Sequence, residues 1–146
     1  MNIRTYFNNK EKKQIREAVQ AAELRTSGEI RVHLESKCEV EPMDRAVAWF
    51  EKLKMHETEL RNGVLVYVAI ESKKFAILGD KGINEAVPKG FWDETKEVMV
   101  SEFKEGHMLE GICKGVERAG EQLRKFFPYQ KDDINELDDD ISYGNQ

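Results

Sequence analysis

At 146 residues, 40% hydrophobic and 35% charged, the chain has the size and composition of one soluble globular domain with a densely charged surface. Of its 28 acids and 23 bases, six acids and one base fall in residues 128–146, which leaves 22 of each in residues 1–127. A neutral body without a basic stripe excludes nucleic acid as the main partner, and the longest apolar run, Val64 to Ile70, is too short for membrane insertion.

Met1 to Phe7 contains neither an apolar stretch nor a small-residue cleavage site, so secretion by a standard signal is not expected. Cys38 and Cys113 stand far apart and outside any CxxC pair, as free thiols of a reducing cytoplasm would. The expectation is a cytoplasmic monomer.

Asn8 or Asn9 is placed to cap a helix running to about Arg25, with Ile15, Val19 and Ala22 at helical spacing. Lys10, Lys12 and Lys13 on that helix read as a solvated face. From Glu29 to Glu35 the period changes to two: Ile30, Val32 and Leu34 alternate with charged residues and His33, which predicts a half-exposed strand. Glu41-Pro42 opens a second helix with Ala46, Trp49, Phe50 and Leu53 on one stripe.

The continuous, β-branched run Val64–Ile70 predicts a strand covered on both faces, and Lys74–Leu78 follows as its hairpin partner. A third helix is expected over roughly Phe91 to Glu105, burying Trp92, Thr95, Val98, Met99 and Phe103. Leu109, Ile112, Val116, Ala119, Leu123 and Phe126 mark the last helix, which Pro128 ends. Gly111 and Gly115 on that helix suit close helix–sheet packing. Residues 129–146 read as an acidic, disordered tail. Within it, Asp132 to Asp138 resembles a calcium loop but lacks the required glycine and distal glutamate.

Strand, helix, strand implies a parallel crossover, and the hairpin strand adds antiparallel. With about four helices on its faces this gives an α/β fold, a three-layer α/β/α sandwich around a small mixed sheet, in one domain over residues 1–128. Glu29 then opens the first strand, Asn62 precedes the second and Asp80 follows the third, so all three fall at one end of the sheet. Two carboxylates and an amide form an all-oxygen set suited to Ca²⁺ or Mg²⁺. The plainer reading makes Glu29 and Asp80 turn residues, with Asp80-Lys81-Gly82 an ordinary tight turn. At the opposite end Glu35, Glu39, Glu41, Asp44 and Glu71 compete as ligands, but they read more simply as a solvated loop.

Covalent phosphatase chemistry has no motif here. Six residues separate Cys38 from Arg45 and four separate Cys113 from Arg118, where a phosphate-wrapping loop needs five. No phosphate-binding glycine loop, HExxH or G-x-S-x-G stands in the chain. His33, His56 and His107 are expected at the surface. Phosphate-ester hydrolysis would require a metal that activates water.

Three stretches carry a family resemblance: Thr26-Ser27-Gly28-Glu29-Ile30-Arg31-Val32, Arg61-Asn62-Gly63-Val64-Leu65-Val66-Tyr67-Val68-Ala69 and Phe75-Ala76-Ile77-Leu78-Gly79-Asp80-Lys81-Gly82-Ile83. With Phe103-Lys104-Glu105-Gly106 and Gly111-Ile112, they make residues 8–127 similar to a TPM domain. That family includes a thylakoid-lumen acid phosphatase, a photosystem II repair factor and an acetylcholine-receptor modulator. The resemblance implies a compact α/β sandwich and either divalent-cation binding or phosphatase activity. Two departures bear on the second: Gly82-Ile83-Asn84 stands where many members have Gly-Leu-Glu, and Pro88-Lys89-Gly90 where an Asp is expected.

The expected function is therefore a domain that binds Ca²⁺ or Mg²⁺ through Glu29, Asn62 and Asp80, in a stabilising or regulatory role. One alternative is a metal-dependent phosphatase of phosphate monoesters, with Asp93 or Glu97 as extra acids. Another is a protein-interaction module that meets its partner through the tail or an apolar patch.

Overall fold

Asn8 caps the first long helix, and its side chain accepts from the Glu11 amide while Glu11 accepts from the Asn8 amide. A computed structural model describes residues 1–130 and 140–144 of the protein. In chain order its elements are α1 (Ile3–Tyr6), α2 (Asn9–Glu23), β1 (Glu29–Glu35), α3 (Pro42–Lys52), β2 (Gly63–Ala69), β3 (Lys74–Gly79), α4 (Lys81–Ala86), α5 (Asp93–Lys104), α6 (Met108–Leu123) and β4 (Ser142–Tyr143).

The sheet order is β3-β2-β1-β4, with β1 parallel to both β2 and β4 and with β2 antiparallel to β3. On one face, Ile30, Val32 and Leu34 of β1 join Val64, Val66 and Val68 of β2 in a core closed by α2, α5 and α6. On the other, Leu65, Tyr67 and Ala69 pack with Ala46 and Phe50 of α3. The expected three-layer α/β/α arrangement with a mixed sheet is the observed one. Each large aliphatic side chain withdrawn from water in these layers contributes about 1.5–3 kcal/mol.

Glycines set how closely the helices approach. A Cβ on Gly111 would lie 2.4 Å from Phe103, one on Gly115 2.5 Å from Met99, and one on Gly120 2.8 Å from Ala22. These contacts reach α5 and α2, so the glycine stripe serves helix–helix rather than helix–sheet packing.

Several local expectations change. There are six helices among the described residues rather than about four, because α1 and α4 were not legible as helices. The expected tight turn at Asp80-Lys81-Gly82 is instead the start of α4, with Asp80 as its cap. The last helix stops at Leu123, and Phe126 lies beyond it, 37% exposed.

β1 is buried on both faces, with only Arg31 half-buried, because α3 covers the face that the alternation assigned to solvent. The expectation of a disordered tail fails at residues 140–144. There Ile141 enters the core, and Ser142 and Tyr143 pair with His33 and Leu34. Ile141 and Tyr143 bury apolar surface that the acidic residues before them conceal in a compositional reading. The calcium-loop resemblance at Asp132–Asp138 lies outside the described residues.

Candidate functional site

The strand starts at one end of the sheet are joined by main-chain bonds. Glu29 is paired in register with Gly63, the Glu29 amide donates to the Asn62 carbonyl at 3.2 Å, and the Asp80 amide donates to the Gly63 carbonyl at 2.9 Å. Glu29, Asn62 and Asp80 thus stand at one end of the sheet, and are 4%, 2% and 6% exposed. The Asn62 amide nitrogen donates to the Ser27 carbonyl at 3.3 Å and ties the first turn to the second.

Asp80 already has an organic cation. Arg61 Nε and Nη2 donate to Asp80 Oδ2 and Oδ1 at 2.8 and 2.9 Å, a bidentate pair. Asp80 Oδ1 also accepts from the Lys81 amide at 2.7 Å, which caps α4. The hydrogen bonds it donates to Asp80 raise the affinity of Arg61 for its proton, although its side chain remains 44% exposed.

Arg61 has a left-handed φ of 50°, and its carbonyl receives the Gly82 amide at 2.8 Å. A Cβ on Gly82 would come within 2.2 Å of the Leu60 carbonyl oxygen, so only glycine fits beneath this loop. Arg61, Asp80, Lys81 and Asn84 line a cleft of about 730 Å³ together with Val47 and Phe50 of α3. Sequence reasoning missed Arg61 as a partner of Asp80.

The structure does not gather Asp93 and Glu97 into this cleft. Asp93 approaches Gly90, where a Cβ would lie 2.9 Å from its carboxylate. Glu97 lines a separate groove between α5 and α6, together with Glu102, Lys114 and Arg118.

At the other end of the sheet Glu35, expected in a solvated loop, instead lies in a buried polar cluster. The carboxylate of Glu35, fully buried, accepts from Arg45 Nε and Nη2 at 2.9 and 2.8 Å, from Trp49 Nε1 at 3.0 Å and from the Tyr67 hydroxyl at 2.6 Å. Burial pushes the Glu35 carboxyl up, but the hydrogen bonds from Arg45 and Tyr67 outweigh it and hold the group below the usual carboxylate range. Burial and the bond to Glu35 push the Tyr67 phenol far above its ordinary value.

His33 is also fully buried, contrary to the surface position expected of it. Its ring packs 4.1 Å from Trp49 and 5.9 Å from Tyr67, centroid to centroid. Nδ1 lies 2.7 Å from Ser142 Oγ, while Nε2 has no hydrogen-bond partner and stands 3.9 Å from Glu35 Oε2. Burial is the main reason its pKa falls from 6.5 to about 4. Arg45 and Arg31 add to that effect, and Glu35 opposes it. Imidazole, carboxylate and guanidinium thus share one polar cluster, which reaches solvent through the Arg45 side chain, 28% exposed.

A TPM domain model matches residues 4–122. The chain belongs to the TPM domain family. Among solved structures, the BA42 protein of the psychrophilic bacterium Bizionia argentinensis is 49% identical over 98% of this chain and 99% of its own, with a TM-score of 0.91. Two more distant folds are an N-terminal domain from P. gingivalis and the N-terminal domain of the cg2496 protein of Corynebacterium glutamicum. The first is 17% identical with a TM-score of 0.68, covering 83% of this chain and 78% of that one. The second is 11% identical with a TM-score of 0.64, covering 93% and 80%. No curated protein matches the chain. Among the described residues of this TPM domain, no helix is long and apolar enough to cross a membrane.

Proposed function

We propose that this TPM domain binds a divalent cation, Ca²⁺ or Mg²⁺, at the Glu29, Asn62 and Asp80 end of the sheet, and that the ion exchanges with the Arg61 guanidinium. The supporting observation is a pair of buried carboxylates either side of Gly63, one of them neutralised by a single half-exposed arginine at the rim of a cleft. The backbones of β1 and β3 stand two interstrand steps apart, about 10 Å. Two Ca–O bonds span about 5 Å of that distance, and one aspartate and one glutamate side chain cover the rest. Gly63 between them supplies no side chain to block the ion.

Bound there, the ion would tie the Ser27–Glu29, Arg61–Gly63 and Asp80–Ile83 turns together while Arg61 swings into the cleft. Its role in this reading is to stabilise those loops for a protein partner, in a reducing compartment that keeps Cys38 and Cys113 as the free thiols observed.

The test follows amide shifts during a Ca²⁺ and then a Mg²⁺ titration of the wild type, Arg61→Ala and Asp80→Asn. Shifts confined to residues 27–30, 61–63 and 79–84 are expected in the wild type, with tighter binding in Arg61→Ala and none in Asp80→Asn. Because an ion that binds only the native state must raise the melting temperature, Arg61→Ala should also gain more from added ion than the wild type. Silence of those amides at millimolar ion, or weaker binding in Arg61→Ala, overturns the reading.

A further inference from the structure

A second constellation stands at the turn between α5 and α6, away from the sheet and independent of the cation reading above. Glu105 caps the C-terminus of α5, and Gly106 follows with φ of 80°. The Gly106 amide donates to the Phe103 carbonyl at 3.0 Å and the His107 amide donates to the Glu102 carbonyl at 2.9 Å. That pair of bonds is the Schellman ending of a helix, which requires the left-handed residue at Gly106. His107 also caps α6, its carbonyl accepting from the Gly111 amide at 3.0 Å.

Helix hydrogen bonding therefore fixes the backbones of Glu102, Glu105 and His107. Their side chains meet. His107 Nδ1 lies 3.8 Å from Glu102 Oε2 and 3.7 Å from Glu105 Oε2, and one ligand atom from each residue falls within 4.8 Å of the others.

We propose that Glu102, Glu105 and His107 form a binding site for a borderline transition-metal ion, with Zn²⁺ as the fitting case. An imidazole nitrogen with two carboxylate oxygens is the donor set that Zn²⁺ accepts and that Ca²⁺ and Mg²⁺, with their preference for oxygen, do not favour. Tetrahedral zinc, with bonds of about 2.0–2.1 Å, sets its ligand atoms roughly 3.3 Å apart. The two imidazole–carboxylate separations, 3.8 and 3.7 Å, are about half an ångström wider, and the two carboxylates lie within 4.8 Å of each other, distances that side-chain rotations close. Water fills the fourth position, because His107 and Glu105 face solvent.

Lys114 is the internal competitor. Its ammonium lies 3.5 Å from Glu102 Oε2 and is half-exposed, so it can yield to a divalent ion.

The probe is ZnCl₂ alone, titrated into the whole chain by calorimetry, with imidazole ¹⁵N shifts recorded in parallel. One zinc is expected, with the large shift at His107. His107→Asn and Glu105→Gln should each weaken binding at least tenfold, and Lys114→Met should strengthen it. The exposure of His107, Glu105 and Lys114 keeps these variants folded, which a thermal melt checks. Equal affinity in His107→Asn, an imidazole shift at His33 or His56 instead, or weaker binding in Lys114→Met each overturns the site.

Discussion

The buried His33 should make this domain lose stability in a pH window that its carboxylates alone would not produce. In the unfolded chain the imidazole titrates near 6.5, whereas in the fold it takes a proton only at about pH 4. Between those values the unfolded state binds more protons than the native state, so stability falls as pH is lowered and levels off below about 4. A separation of 2.5 pH units, at about 1.36 kcal/mol each, is on the order of 3 kcal/mol. Against a total of about 5–15 kcal/mol for a domain, that is a large share.

Glu35 acts lower on the scale. Its folded pKa lies below the unfolded 4.5, so its contribution is complete above that value and disappears only as pH falls through the folded one. The two effects are therefore separable in pH. Urea unfolding of the wild type from pH 7.5 to 4.0 should show the midpoint falling by roughly 1.5 M, taking a slope of about 2 kcal/mol/M. His33→Phe keeps a ring between Trp49 and Tyr67 but carries no titrating group. Its profile should be flatter between pH 6.5 and 4.5, whatever its stability at neutral pH. Parallel profiles for the two proteins in that interval would refute the assignment.

Two further outcomes concern the same end of the sheet. Glu35→Ala strips Arg45, Trp49 and Tyr67 of their shared acceptor and should cost about 3–5 kcal/mol, with Glu35→Gln losing less, as measured by equilibrium urea unfolding. A Cβ on Gly144 would come within 2.0 Å of Glu35 Oε2, so Gly144→Val should detach β4. Hydrogen exchange would read that as lost protection of the Gly144 amide, which donates to the Leu34 carbonyl at 2.9 Å.

Much of the scaffold was readable because periodicity reports burial. Val64–Ile70 announced its two covered faces, and the stripe from Ile112 to Leu123 announced α6. Topology also placed Glu29, Asn62 and Asp80 at one end of the sheet, since crossover and hairpin rules decide which strand ends coincide. Charge hid the remainder. Glu29, Arg31, His33 and Glu35 alternate as a solvent face would, and nothing local shows that Arg45 and Trp49, on a helix ten or more residues later, turn two of them inward. Arg61 escaped for a related reason. An ion pair across 19 residues is a property of the folded turn, and the sequence around Asp80 looks the same with or without it. β4 was missed because two paired residues after an acidic run are too short to carry a period.

Strand β1 has a flank that faces away from β2, where its polar main-chain groups are met by α2 and by β4. The Ile30 amide donates to Glu23 at 3.1 Å, the Val32 carbonyl accepts from the Ser142 hydroxyl at 3.4 Å, and the Leu34 carbonyl accepts from the Gly144 amide. An open strand flank is a template on which another chain can add, the route to polymers and aggregates. Here, among the described residues, a side chain of α2 and the short parallel strand β4, with its Ser142 hydroxyl and the Gly144 amide that follows it, occupy that template. Growth of the sheet on that side by a second copy must first displace both.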